Sequence, residues 1–194
     1  TATIVANLTW HRGIELPLAL AGILFAAIVS DTLYFRSPTA TLFDQDTAKR
    51  LAEQAGIKDA EAFAMEVLRH GSAIGTMPVQ DIVRNDIKEF DFGEHRITVS
   101  QINIMDRQQA LERLGELQKA LNEFRKQEGY DLSLLMVTDI LGEATDLLAA
   151  GSPQTQLVHA FGEAAVEGCY HLPGVLSRKK QIIPPLTEAF RKQD

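Results

Sequence analysis

The chain has 194 residues, of which 45% are hydrophobic and 23% charged, and its formal net charge is -7 at pH 7. This composition provides ample material for a folded core and excludes disorder and collagen-like structure. The acidic excess argues against a broad nucleic-acid-binding surface, because affinity for a phosphate backbone requires a net basic face. We expect a globular protein without a nucleic-acid partner, in which a local group of cations could still bind one small anion.

The single cysteine, Cys169, excludes an internal disulfide and a thiolate metal cage, and it favours a reducing, cytoplasmic environment. The longest apolar run, residues 18–29, is shorter than the roughly 20 residues that a membrane-spanning helix needs. We therefore predict a buried helix there and no membrane partner. The first residues also lack the pattern of a secretory signal.

The first 70 residues are predicted to be mainly helical. Apolar residues at near-helical spacing predict a helix over residues 2–12, and an apolar second helix follows. Thr41 and Asp44 have the spacing of a capping box at the start of a third helix, and a fourth comes directly after it. Residues 71–78, GSAIGTMP, then combine Gly, Ser and Pro, which is typical of a connection between domains.

The rest of the chain alternates strands and helices. Residues 87–92 and 96–104 are β-prone runs separated by Gly93-Glu94, the pattern of a hairpin, and a long amphipathic helix is predicted over residues 107–129. The remaining predicted elements are strands at residues 132–137 and 146–150, a short helix at 154–161, a strand through Tyr170 and a final helix begun by Pro184-Pro185. Strands interleaved with helices predict an α/β fold.

Three consecutive cations are conspicuous in an acidic chain: Arg178, Lys179 and Lys180, within the sequence SRKKQ. A guanidinium offers a planar fork that matches two phosphate oxygens, and ammonium groups add mobile positive charge. The tract is therefore a candidate anion clamp. A solvated charged turn before the last helix explains the same residues.

Asp31 closes the apolar second helix, where a carboxylate needs a cation or several hydrogen-bond donors. A hard metal such as Mn²⁺ or Mg²⁺ would supply the cation, and hydrogen bonds from nearby amides are the alternative. We assign Asp44, Asp46 and Asp86 to helix caps and polar stretches. Lys88, judged alone, is typical of an exposed strand lysine.

Other catalytic patterns are absent from the sequence. The five histidines show no metal-ligand spacing, and there is no P-loop, GxGxxG or GxSxG motif. His171 lies two residues after Cys169, where strand alternation places both on one face. We do not interpret this pair as a catalytic dyad, because a dyad needs a third group to orient it.

Three segments, TATIVANL, LAGILFAAIVSDTLYFRSPTAT and SRKKQIIPPL, together resemble the family II inorganic pyrophosphatases of the DHH phosphoesterase superfamily. Their order and spacing agree over essentially the whole chain. The resemblance implies that residues 1–70 are the mainly helical last part of a metal-binding DHH domain and that 71–78 form a linker. Residues 79–194 would then be a complete C-terminal α/β substrate-binding domain, with a mixed sheet flanked by helices.

The resemblance also implies roles for four residues. Asp31 matches a ligand of the family's dinuclear Mn²⁺ or Co²⁺ centre, whereas Arg178, Lys179 and Lys88 match its substrate-binding cations. Arg36 stands where the family more usually has lysine. The implied reaction is hydrolysis of pyrophosphate, accompanied by Mg²⁺, by a metal-activated water between two domains, while the three cations neutralise the phosphates. No residue of the chain is assigned as the acid, base or nucleophile.

The family's HxDxD motif and its Asp-His-His triplet do not occur in the sequence. We therefore expect a C-terminal fragment that is inactive alone and that needs the missing N-terminal part of the same protein for most metal ligands. The family implies a homodimeric, cytoplasmic parent. Two alternatives remain open: a short-chain exopolyphosphatase of the same superfamily and a non-catalytic phosphate-binding or regulatory module.

Overall fold

The structure is a computed structural model in which residues 1–72, 74–166 and 168–191 are described. The chain divides into two compact units, Thr1–Gly71 and Ser72–Asp194. Over the described ranges, no helix combines the length and the apolar character needed to cross a bilayer.

The first unit consists of the four predicted helices. They are α1 (Ala2–His11), α2 (Leu18–Thr32), α3 (Leu42–Gln54) and α4 (Ala60–His70). The predicted capping box opens α3: the Asp44 N–H donates to Thr41 Oγ1 at 3.2 Å, and the Thr41 N–H donates to Asp44 Oδ2 at 2.8 Å. These reciprocal bonds satisfy donors that a helix start leaves unpaired.

The prediction that the second helix is buried holds for only one side of it. Phe25, Ile28 and Val29 are buried within the unit, whereas Leu18 is 66% exposed and Ile23 63% exposed. Inside this unit α2 packs against α1, α3 and α4, and these three neighbours do not surround it. The continuous apolar sequence hid this asymmetry, because it carries no period that marks one face.

Among the residues that the structure describes, the second unit contains one five-stranded sheet with helices on both faces. Its elements are α5 (Val79–Ile82), β1 (Lys88–Phe92), β2 (His95–Ile104), α6 (Arg107–Glu112), α7 (Leu114–Glu128), β3 (Leu132–Asp139), β4 (Ala144–Gly151), α8 (Gln154–Phe161), β5 (Cys169–Pro173), a π-helical turn (Arg178–Ile182) and α9 (Ile183–Arg191). The strand order is β1-β2-β3-β4-β5. Only the β2–β3 pair is parallel, so the sheet is mixed and the predicted α/β fold is confirmed.

Alternating side chains give the sheet two apolar layers. Ile102, Leu135 and Leu148 pack beneath α5, α6 and α7 on one face. Val99, Leu134 and Leu147 form the other layer with α8, α9 and the π-helical turn. The central strand β3 is therefore buried on both faces, as its unbroken apolar sequence predicts.

The single helix predicted over residues 107–129 is wrong, because the helix breaks at Arg113 between α6 and α7. The Arg113 guanidinium donates to the carbonyl oxygens of Ile74 and Met77, the latter at 2.9 Å. The break thus accompanies a tertiary contact that helical periodicity does not reveal. The same bonds attach the segment predicted as a linker to the second unit.

Candidate anion-binding site

The hairpin and the turn before α9 bring two of the predicted cations to one place. Lys88 begins β1 and lies opposite Val99 of β2 in the antiparallel register. Arg178 begins the π-helical turn, and its Nη1 donates to the carbonyl oxygen of Val99 at 3.0 Å. The pairing of β1 with β2 therefore joins residues 90 positions apart in the sequence.

Asp86 joins these two cations. Arg178 Nη2 donates to Asp86 Oδ2 at 2.9 Å, Arg178 Nη1 donates to the Asp86 carbonyl oxygen, and Lys88 Nζ lies 3.9 Å from Asp86 Oδ1. The assignment of Asp86 to a helix cap or polar stretch is therefore incomplete, because its carboxylate pairs with Arg178. One carboxylate shared by two cations leaves a net positive charge at the site.

Lys179 follows Arg178 in the π-helical turn, and it is exposed. Its side chain makes no hydrogen bond or ion pair among residues 1–72, 74–166 and 168–191, and the side chain of Lys88 is 60% exposed. The Arg178 side chain differs from both, because only 13% of it is exposed. The structure thus brings together one fixed guanidinium and the exposed ammonium group of Lys88, and the anion clamp expected from Arg178, Lys179 and Lys180 stays a prediction.

Gln181 holds the turn that carries Arg178. Its Oε1 accepts the N–H groups of Leu176 at 2.9 Å and Ser177 at 3.0 Å, and its Nε2 donates to the Gly174 carbonyl oxygen at 2.7 Å. Ser177 caps the turn by accepting the Lys180 N–H at 3.4 Å. These contacts fix the backbone on the N-terminal side of Arg178.

Asp31, the predicted metal ligand, belongs to the first unit. Its carboxylate is 63% exposed near the end of α2 and lies 3.7 Å from the Thr1 nitrogen. Within the described ranges, no group of three or more His, Cys, Asp or Glu side chains is arranged to hold a metal ion. The described residues therefore do not make a dinuclear centre.

A second charged cluster, formed by Arg107, Asp146 and His171, was not predicted from the sequence. His171 Nδ1 lies 2.7 Å from Asp146 Oδ1, and Arg107 contacts the same carboxylate. Burial alone would raise the pKa of Asp146, but hydrogen bonds from Arg107 and His171 hold the pKa of Asp146 below its ordinary value. The three residues are 25 to 64 positions apart in pairs, so no local motif could reveal them.

This cluster supplies an orienting group for His171 but does not activate the nearby cysteine. Burial, reinforced by the negative charge of Asp146, raises the pKa of Cys169 to about 11. A thiol with such a pKa is protonated at neutral pH and is a poor nucleophile. The reason given from the sequence, that no third group orients His171, is therefore wrong, and the raised pKa of Cys169 is instead what argues against a catalytic pair.

The second unit is an α/β domain in which Arg178 and Lys88 both contact Asp86, and the first unit is helical. Residues 65–189 match the model of the DHHA2 domain, and the chain belongs to this family. The chain is 38% identical over 198 residues to the manganese-dependent inorganic pyrophosphatase of Methanocaldococcus jannaschii, covering 98% of this chain and 64% of the relative. It is 37% identical over 192 residues to a probable manganese-dependent inorganic pyrophosphatase of Lactobacillus delbrueckii subsp. bulgaricus, covering 98% of this chain and 61% of that protein.

A solved structure agrees with these similarities. A Methanococcus jannaschii protein described as a family II inorganic pyrophosphatase superposes with a TM-score of 0.87 at 37% identity, over 98% of this chain and 64% of the other. The resemblance stated from the sequence is thereby confirmed. The chain spans less than two thirds of the length of these relatives, and the roles of Asp31, Lys88, Arg178 and Lys179 stay predictions.

Proposed function

We propose that the protein hydrolyses inorganic pyrophosphate, with manganese as its metal and with the second unit binding the substrate. The proposal rests on Arg178, which is held by three acceptors and shares Asp86 with Lys88, in a chain of net charge -7. Lys179, the next residue in the sequence, is the third cation of the proposed site. Phosphoryl transfer depends mainly on positioning and charge stabilisation, and such a site supplies both. The names of the similar proteins support pyrophosphate as the substrate.

In this proposal the three cations have different roles. Arg178 offers donors from a fixed guanidinium and orients one phosphate group, because planar N–H pairs match two phosphate oxygens. Lys88 and Lys179 bind the second phosphate group, since ammonium groups on flexible side chains can adjust to its position. Together they neutralise the charge that accumulates on the departing phosphate.

The metal centre is only partly accounted for by this chain. Asp31 would contribute one carboxylate, and one carboxylate does not hold two divalent ions. We propose that the remaining ligands come from an N-terminal part of the same protein, so that the 194-residue chain alone releases no phosphate. Manganese, or cobalt in its place, and Mg²⁺ with the substrate belong to this proposal.

Exposed apolar side chains on the first unit support further protein contacts there. They are Ile4, Leu8, Leu18, Ile23, Leu42 and Phe43. An N-terminal part of the protein and a second subunit of a homodimer are the partners that we propose for this surface. A cytoplasmic location completes the proposal and is supported by the single cysteine.

The test is phosphate release from pyrophosphate, with Mn²⁺, by the protein as its gene encodes it. We expect turnover that falls about 100-fold or more in Arg178→Ala, in proportion to the loss of a charge-stabilising donor. Lys126→Ala removes an exposed cation of α7 and is the matched control, with turnover unchanged. Full activity in Arg178→Ala would contradict the proposed role of the site.

The same assay separates the two alternatives. A short-chain exopolyphosphatase would release phosphate faster from tripolyphosphate than from pyrophosphate. A non-catalytic phosphate-binding module would bind pyrophosphate without releasing phosphate at any metal concentration. The cation cluster is compatible with both, and the Mn²⁺-dependent relatives favour pyrophosphate hydrolysis.

A further inference from the structure

The guanidinium of Arg178 has an occupied end and a free edge. It carries five N–H donors, and three of them are used: two at Nη1, by the carbonyl oxygens of Asp86 and Val99, and one at Nη2, by Asp86 Oδ2. No hydrogen bond leaves Nε within the described parts of the chain. The two remaining donors, at Nε and Nη2, lie on the same edge and form a fork for two oxygens of one phosphate group.

We propose that Asp86 is the positioning residue that holds Arg178 with its Nε–Nη2 edge free for the anion. The inference rests on the proposed role of Arg178 in substrate binding. Asp86 thereby has a role in the site, although its sequence position indicates only a helix cap or a polar stretch. We also predict that the anion meets the side edge of the guanidinium, since the end of the group is already paired.

The backbone at Asp86 is suited to this task. Its φ is +42°, in the left-handed region that Asp, Asn and Gly adopt more readily than other residues. In this conformation the carbonyl oxygen and the carboxylate of one residue both reach the same guanidinium. The preceding residue is fixed as well, because Asn85 Nδ2 donates to the Gln101 carbonyl oxygen at 2.7 Å and the Gln101 N–H donates to the Asn85 carbonyl oxygen at 3.1 Å.

A carboxylate beside an anion site also repels the anion. Asp86 would therefore weaken binding unless its hydrogen bond orients Arg178 productively. A carboxylate that simply competed with the ligand for the guanidinium would have the opposite effect on affinity. One variant that removes only the charge of Asp86 and another that also removes its side-chain acceptor therefore distinguish positioning from competition.

The experiment titrates the 194-residue chain with sodium pyrophosphate in a calorimeter. Asp86→Asn keeps an acceptor at Oδ1 and loses the charge, whereas Asp86→Gly loses both, and both residues tolerate the left-handed backbone. We expect the Gly variant to bind about fivefold more weakly, the size expected for one partly exposed charge pair, and the Asn variant to bind within about twofold of the unmodified chain. Tighter binding by both variants would overturn the positioning role and indicate competition.

A double-mutant cycle with Arg178→Ala distinguishes positioning from general support of the fold. If Asp86 acts through Arg178, the effect of Asp86→Gly disappears once Arg178 is alanine, whereas a structural effect persists. Asp91→Asn, which removes an exposed carboxylate from β1, the strand that Lys88 begins, is the control and leaves the affinity unchanged. Should the Gly variant fail to fold, the Asn variant decides alone, because more than twofold tighter binding contradicts positioning.

The results also separate this inference from the proposed function. If Arg178→Ala binds pyrophosphate as tightly as the unmodified chain, the proposed function of the site is wrong. If Arg178→Ala binds weakly but Asp86→Gly binds normally, the site stands and the positioning role is wrong. If the unmodified chain binds no pyrophosphate, both are wrong.

Discussion

Arg107 donates two hydrogen bonds to the carboxylate of Asp146, from Nε to Oδ2 at 2.7 Å and from Nη2 to Oδ1 at 2.8 Å. Asp146 lies on β4 and is 5% exposed, whereas Arg107 begins α6. The pair therefore ties a helix to the sheet through a buried charge. Such a carboxylate stabilises the fold only while its donors remain in place.

We predict that Asp146→Asn lowers the free energy of unfolding by about 2 kcal/mol at pH 7, because the amide cannot accept both bonds from Arg107. The pKa of Asp146 is below its ordinary value of about 3.9, so the carboxylate stabilises the fold above that pH. Its contribution is lost as the pH falls through the lowered pKa. The difference in the free energy of unfolding between the variant and the unmodified protein should therefore become smaller below about pH 4.

Urea unfolding at pH 7 and pH 3 measures this difference. Asp91→Asn, an exposed substitution in the same unit, should change the stability by less than about 0.5 kcal/mol. A difference in the free energy of unfolding that is larger at pH 3 than at pH 7 would contradict the assignment of Asp146 as a stabilising carboxylate.

Cys169 should be almost unreactive in the folded protein. Its pKa of about 11 leaves roughly one thiolate in 10,000 at neutral pH, and the residue is buried. Mass spectrometry after iodoacetamide treatment should show no alkylation during a period that fully alkylates the urea-unfolded chain. Rapid modification of the folded protein would show that the thiol is activated, and the pairing with His171 would then need a catalytic interpretation.

The turn before Arg178 should depend on the Gln181 side chain. Gln181→Glu keeps the acceptor for the Leu176 and Ser177 N–H groups. It replaces the donor to the Gly174 carbonyl oxygen with a second carboxylate oxygen, which that carbonyl oxygen repels. We predict faster hydrogen exchange at the Leu176 and Ser177 amides and pyrophosphate affinity reduced about threefold or more. Gln127→Glu, on the exposed surface of α7, is the control and should leave both properties unchanged.

Local signals in the sequence were sufficient for most of the fold. Gly93, at a φ of +62°, marks the hairpin turn, and the capping box at Thr41 marks the start of α3, because both signals lie within a few residues of the element they define. The break at Arg113 was missed because it accompanies contacts with residues 36 and 39 positions away. Local periodicity carries no information about such contacts.

In the candidate site, too, some residues could be predicted from the sequence and others could not. The cations Arg178 and Lys179 were conspicuous because they are consecutive in an acidic chain, and Lys88 was assigned only through the family resemblance. Asp86 was not recognised as part of the site because its partner Arg178 is 92 positions away. Its left-handed backbone is a property of the folded chain that a common Asn-Asp sequence does not signal.

An NMR titration of the isotopically labelled chain with pyrophosphate shows directly whether the Arg178 cluster binds the substrate. We predict amide shifts centred on Asp86, Lys88, Arg178 and Lys179, with the Arg178 Nε–H signal moving furthest because it lies on the free edge of the guanidinium. Arg178→Ala should abolish these shifts, and Lys126→Ala should preserve them. Shifts centred elsewhere in the chain, or none at millimolar pyrophosphate, would contradict the assignment of this cluster as the substrate-binding site.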